Sequence, residues 1–306
     1  MADLRVTLAG MKLENPLIPA SGVFGYGADY LDFFDPNILG SFVTKGTTRE
    51  PRFGNPLPRV AECPAGMLNA VGLQNPGVMA VLENELPKLR TFYRKQCIAN
   101  VSGFSVEEYA ETAALLEKDP SVGALEVNIS CPNVKHGGMA FGTDPTQAAA
   151  VTAAVKKAVE KPVFIKLSPN VTDIAAMAVA CEEAGADGIS LINTLLGMRI
   201  DLRARRPVLA NTFGGYSGPG VFPVALRMVY QVYNAVNIPI MGMGGITCAR
   251  DVVEMLLAGA TAVQIGGENL RDPLACPRIL AELPELLDEM HVDKLSDLIG
   301  GAHGCV

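Results

Sequence analysis

A chain of 306 residues that is 49% hydrophobic and 19% charged is long enough for one large globular domain. A net charge of −7 and a pI near 5.1 exclude the basic face that a nucleic-acid partner needs, and the absence of tryptophan leaves no stacking platform for bases. The seven cysteines are scattered with no C-x2-C pair and no targeting segment precedes them, so the expectation is reduced thiols in a cytoplasmic protein, without a zinc or iron–sulfur site on this chain.

In chain order, residues 4–13 alternate apolar and polar side chains around Ala9-Gly10, which predicts a β-hairpin closing the bottom of the fold. Short β-type runs follow at 17–20, 42–44, 98–101, 125–128, 163–167, 188–192, 238–241 and 262–265. Helical patterns lie between them at 78–93, 106–117, 145–159, 173–184, 224–236 and 249–258. In the fourth of these, Ile174, Met177, Ala178 and Cys181 form one apolar stripe. The longest uncharged stretch, 228–249, contains Pro239 and several glycines and predicts a helix end plus a strand, not a membrane span. Eight strands apolar on both faces, in alternation with helices, predict an α/β fold, a (β/α)8 TIM barrel in a single domain over residues 1–306. A doubly wound sheet is the alternative. The spacing lengthens after the second and sixth strands, where Pro-, Gly- and Asn-rich insertions at about 47–76 and 193–219 fall on the C-terminal face, where barrels keep their chemistry.

The strand ends carry a consistent set of residues. Lys45, Asn100, Asn128, Lys166 and Asn193 close five of the eight strands, with Ser21, Gly46 and Thr194 beside them and few acids to neutralise the lysines. A single asparagine there is a turn former; five strand ends carrying Lys or Asn are hard to explain as caps. Gly244-Gly245 after strand seven and Gly266-Gly267 after strand eight fit a phosphate cradle of bare backbone N–H groups, though either pair alone would serve a tight βα turn. A phosphate beside amide-lined strand ends implies a flavin mononucleotide, FMN, across the mouth. After strand four, Asn128-Ile129-Ser130-Cys131-Pro132-Asn133 delivers a thiol between two amides into a Gly-rich loop, where a polarised thiol can exchange a proton near neutral pH. A lone cysteine is otherwise a small buried hydrophobe.

Seven segments together resemble the soluble dihydroorotate dehydrogenase family: N-P-L-I-P-A-S-G at 15–22, V-T-K-G at 43–46, N-A-V-G-L-Q-N at 69–75, N-I-S-C-P-N-V at 128–134, I-N-T at 192–194, S-G-P at 217–219 and G-M-G-G-I at 242–246. Within the family the chain is similar to the FMN-containing catalytic subunit of the NAD-linked, two-subunit branch, which oxidises dihydroorotate to orotate in pyrimidine biosynthesis. The resemblance implies that Cys131 is the base that takes the C5 proton. It implies substrate contacts from Lys45, Asn69, Ala70, Val71, Gly72, Leu73, Asn128, Asn193 and Thr194. It implies FMN contacts from Ser21, Lys45, Gly46, Asn100, Asn128, Lys166, Ile192, Gly218, Gly244, Gly245, Gly266 and Gly267, and no metal. It also implies a homodimer core flanked by partner subunits that carry FAD and a [2Fe–2S] cluster. No G-x-G-x-x-G follows a strand, so NAD reduction is expected to need that partner.

Two positions depart from the pattern: Glu268 stands close to the expected phosphate, and Phe222 replaces an expected lysine before Pro223. Three other readings stay open at this point. One is a dihydropyrimidine dehydrogenase-like FMN barrel acting on uracil or thymine. Another is a flavin-free aldolase or isomerase using Lys166 as a Schiff-base amine. The third is a catalytically silent binding subunit.

Overall fold

A computed structural model describes residues 2–130 and 141–304. It opens with the expected hairpin, β1 (Val6–Leu8) against β2 (Met11–Leu13), joined by Ala9 and Gly10, both at positive φ as a two-residue turn of this hand requires. A Cβ on Gly123 would come within 2.9 Å of Met11 Cε, so the hairpin lies under the N-terminal ends of the barrel strands.

The chain continues through β3 (Leu17–Pro19), β4 (Val60–Cys63), β5 (Gly66–Asn69), the helical pieces α1 (Val78–Ala80) and α2 (Leu86–Leu89), β6 (Cys97–Val101), α3 (Val106–Leu116) and β7 (Val122–Asn128). Next come α4 (Pro145–Ala158), β8 (Val163–Lys166), α5 (Ile174–Glu183), β9 (Gly188–Leu191), β10 (Leu195–Gly197), β11 (Ile200–Asp201), β12 (Arg206–Pro207) and β13 (Gly214–Ser217). The last part holds α6 (Phe222–Tyr233), β14 (Ile240–Met243), α7 (Ala249–Leu257), β15 (Ala262–Ile265), α8 (Gly267–Arg271) and α9 (Ala275–Glu289). No helix among the described residues is long and apolar enough to cross a membrane.

Seven strands form one parallel sheet in the order β3-β15-β14-β9-β8-β7-β6. Residues 42–44 fill the eighth position without making a full ladder. The Val43 N–H donates to the Pro19 carbonyl at 3.0 Å, and on the other side the N–H groups of Ile98 and Thr44 donate to the carbonyls of Phe42 and Ile98 at 2.9 Å each. These bonds join β3 to β6 and close the barrel. Every residue of β6, β7, β8, β14 and β15 is buried, which is why these strands read as unbroken apolar runs.

Among the predicted elements whose bounds shift, two do so at a proline. The helix expected over 78–93 breaks into α1, a π-helical turn at Val81–Glu85, and α2, ending at Leu89. Pro87 has no N–H for the Glu83 carbonyl and its ring crowds that oxygen, so the preceding turn widens. The seventh strand, expected at 238–241, runs Ile240–Met243, because Pro239 cannot donate to the ladder. Elsewhere local signals hold: the Asp173 side chain accepts from the Ala176 N–H at the start of α5, whose buried face is Ile174, Met177, Ala178 and Cys181.

The two long insertions are not irregular loops. They pair across about 150 residues of chain into an antiparallel sheet, β10-β13-β5-β4, with Met67 opposite Ser217 and Asn69 opposite Gly215. This lid has its own small core of Leu68, Ala70 and Leu209.

Candidate active site

Between the barrel's C-terminal mouth and the lid lies a cavity of about 660 Å³, within the usual range for a cofactor site. From the barrel it is lined by Ser21, Lys45, Gly46, Asn100, Asn128 and Lys166, and by Ile192, Asn193 and Thr194 beyond β9. The lid contributes Asn69, Val71, Gly72, Leu73 and Gly218, and the pairs Gly244-Gly245 and Gly266-Gly267 close the far side. Ala70 is the exception. Its neighbours Asn69 and Val71 line the cavity, and in extended chain alternate side chains face opposite ways, so Ala70 turns into the lid's core against Leu68 and Leu209. Cys131 falls outside the described residues.

The approach to Cys131 is described and tightly held. The Tyr109 hydroxyl donates to the Asn128 carbonyl at 2.8 Å, and Asn128 Oδ1 accepts from the Ser130 N–H and hydroxyl at 3.2 and 2.9 Å. Asn193 Nδ2 donates to Ser130 Oγ at 2.9 Å. Strand four therefore leaves the barrel pinned on both sides at the cavity floor. The buried thiols are unsuited to proton transfer: burial pushes Cys97, Cys181 and Cys276 up to about 12.

Lys166 is not short of an acid, contrary to the expectation from the strand ends. Glu126, inside β7 and fully buried, sits at the barrel's centre. Its Oε1 lies 3.2 Å from Lys166 Nζ and accepts from Asn100 Nδ2 at 2.6 Å, while Oε2 accepts from Gln264 Nε2. Lys166 Nζ also reaches Ser21 Oγ at the mouth, at 3.3 Å. Sequence reasoning missed Glu126 and Gln264; a carboxylate within the apolar run Ala124-Leu125-Glu126-Val127 was the available signal. Lys45 emerges beside Gly22, whose Cβ would lie 3.8 Å from Lys45 Nζ.

The two glycine pairs serve different ends. A Cβ on Gly245, at φ +77°, would come 2.6 Å from the Phe222 N, so this glycine lets the start of α6 approach closely. Phe222, where a lysine was expected, is the residue that backs it. At Gly266 and Gly267 a Cβ would meet nothing nearer than 3.9 and 3.5 Å, so bare backbone borders open cavity. Glu268 is neutralised by two guanidinium groups, Arg271 at 2.5 Å and Arg278 at 3.4 Å, with its side chain only 2% exposed. The expected repulsion at the cradle is thus met by a local ion-pair cluster. Among the described residues no group of three His, Cys, Asp or Glu side chains could hold a metal.

Across residues 3–287 the chain matches the family model described as dihydroorotate dehydrogenase. The chain belongs to that family. Among similar proteins is the catalytic subunit of dihydroorotate dehydrogenase B (NAD(+)) of Geobacillus sp. (strain WCH70), 58% identical over 300 residues, covering 98% of this chain and 96% of the relative. The protein of the same name from Geobacillus kaustophilus (strain HTA426) is 57% identical over 308 residues, covering 99% and 98%. That from Bacillus caldolyticus is 56% identical over 308 residues with the same coverage. Membership of the dihydroorotate dehydrogenase family disfavours the aldolase and silent-subunit readings.

Proposed function

We propose that this chain, as one FMN-binding (β/α)8 barrel domain over residues 1–306, oxidises (S)-dihydroorotate to orotate in pyrimidine biosynthesis. The observation that carries the reading is the convergence of two lysines and four asparagines on one cavity, in a chain 56–58% identical to subunits named for this reaction. The residues present fit FMN. Asn100 Oδ1 is buried without a partner among the described residues, and open glycine backbone at 266–267 leaves room for a phosphate. Ser21, Lys45, Gly46, Asn100, Asn128, Lys166, Ile192, Gly218 and the two glycine pairs would hold it. FMN, when bound, supplies the acceptor for the hydride that leaves C6 of the substrate.

The chain's own residues do the rest. Asn69, Asn128, Asn193 and Thr194 offer donors and acceptors in fixed places to a planar imide carrying a carboxylate. Val71, Gly72 and Leu73, from the lid, shape the other wall, with Ala70 anchoring them in the lid's core. Lys45 reaches both ligands and supplies positive charge to the substrate carboxylate. Cys131, delivered by the pinned Asn128–Ser130 segment, takes the C5 proton as a thiolate.

The relatives' name specifies NAD(+) and a catalytic subunit, which supports electron delivery to NAD through a second subunit. We assign FAD and a [2Fe–2S] cluster to that partner, with a cytoplasmic homodimer of this chain as the core of the complex. The test is anaerobic addition of dihydroorotate to purified protein, which should bleach the flavin. A dye should then be reduced by the lone chain and NAD only after the partner is added. Brisk NAD reduction by the chain alone, or a flavin that dihydroorotate leaves oxidised, overturns the reading.

A further inference from the structure

Glu126 has no role in the chemistry above, yet it is costly to bury. A carboxylate with no exposed surface loses several kcal/mol of hydration, and a well-packed apolar side chain in its place is commonly neutral or stabilising. Its charge is therefore not explained by stability. Its partners point elsewhere. They come from three strands, β6, β8 and β15, and two of them, Asn100 and Lys166, are cavity-lining residues.

We propose that Glu126 is a positioning residue for the flavin site: without touching the ligand, it fixes the charge and aim of the two groups that do. The inference rests on the FMN reading given above. Two observations carry it independently. First, Glu126 Oε1 is the carboxylate that faces the Lys166 ammonium, which is 4% exposed and reaches on to Ser21 at the mouth. The carboxylate set against the buried ammonium at 3.2 Å cancels most of its charge toward the cavity. Second, Glu126 decides which way Asn100 faces. A carboxylate only accepts, so the amide must turn Nδ2 inward at 2.6 Å. Its Oδ1 is then left on the outer side, buried, 2.8 Å from where a Cβ on Gly46 would stand and without a partner among the described residues. An acceptor held in this way selects an N–H on the ligand's face.

The consequence is electrostatic and has a sign. A bound isoalloxazine gains negative charge when reduced, so uncovering the Lys166 charge favours the reduced form. Glu126 holds the potential down, which suits a site that must pass its electrons onward. Glu126→Gln keeps the shape, and the fold can accept it, because Gln264 has a buried Oε1, without a partner among the described residues, that can turn to meet the new amide. The expected result is a more positive flavin midpoint potential at pH 7, by roughly tenfold in the reduction equilibrium, about 30 mV for a two-electron couple. Glu126→Asp keeps the charge but withdraws it by one methylene from Nζ, and should move the potential the same way by less.

The experiment is a dye-referenced reductive titration of the FMN-loaded parent, Asp and Gln proteins. Potentials rising in the order parent, Asp, Gln support the inference. Equal potentials in yellow, folded variants overturn it and leave Glu126 a structural ion pair. If the Gln variant does not fold, the Asp variant decides alone: a rise supports the inference and no change overturns it. A parent protein that takes up no FMN overturns the function proposed above and this inference with it. A parent that is bleached by dihydroorotate while its variants keep its potential overturns this inference only.

Discussion

The floor and the roof of the cavity are built on opposite principles. The floor is the end of a parallel barrel whose strands are buried throughout, and its polar groups are fixed by a network reaching Glu126 at the centre. The roof is a four-stranded antiparallel sheet with a core of three side chains, and the insertions that supply it expose large apolar groups, Phe53 at 96%, Leu202 at 86% and Leu57 at 77%. A deep core gives the floor rigid electrostatics; a thin one gives the roof shape that is cheap to lose. Charge and proton transfer should therefore respond to floor substitutions, and substrate fit to roof substitutions.

The largest effect should come from the residue proposed as the base. Cys131→Ala should keep FMN and slow flavin reduction by dihydroorotate roughly 10²–10⁴-fold in rapid mixing, the span for loss of a general base. Bleaching at the parent rate would remove the thiol from the mechanism. Next is Lys166→Ala, which leaves Glu126 buried and unpaired. A loss of about 3–5 kcal/mol in denaturant unfolding is expected, with a more negative flavin potential in any protein recovered. Parent-like values for both would make the pair incidental.

Leu68→Ala probes the roof. Its cost in the small core should be about 2–3 kcal/mol locally, read as a raised KM for dihydroorotate with FMN affinity unchanged. Lost FMN affinity with an intact KM would erase the distinction between roof and floor. A subtler check uses thiols at pH 8. Cys97, Cys181 and Cys276, pushed up to about 12 by burial, should resist alkylation until the barrel unfolds, whereas half-buried Cys63, in the roof, should react in the native protein.

The smallest effect lies far from the cavity, beneath the floor. Burial would raise the Asp119 carboxyl, but hydrogen bonds from Ser121 and the Arg90 guanidinium outweigh it and hold the group below its ordinary value. A folded-state value below the unfolded one contributes stability above the unfolded pKa and loses it as pH falls through the folded one. Asp119→Asn should therefore be less stable than the parent at pH 7, and the gap should close under acid conditions. A gap that widens on acidification would contradict the assignment.

The floor was legible in the sequence because local signals specify it. Strand-end Lys45, Asn100, Asn128 and Lys166 follow apolar runs, and the runs themselves declare burial on both faces. What escaped was long-range. Glu126 looked like one polar residue in a strand, since its partners Lys166 and Gln264 are 40 and 138 positions away. Residues 42–44 were read as a strand, and they bridge β3 to β6 with little ladder of their own. The roof was invisible as a sheet: no pattern within 47–76 specifies that Met67 will face Ser217. Pro87 and Pro239 show the converse, boundaries that a single residue sets and that closer attention to its missing N–H would have placed.

That shared sheet also constrains how the protein can be altered. β5 from one insertion and β13 from the other form a single ladder, with β4 and β10 on its flanks. Neither insertion can be exchanged alone between related barrels without leaving an unmatched edge over the mouth. A chimera that transplants substrate preference has to carry both segments together, as one interchangeable cassette. On the ribosome the same cassette stays incomplete until the second segment has been made, so the site gains its roof only after six of the eight barrel strands exist.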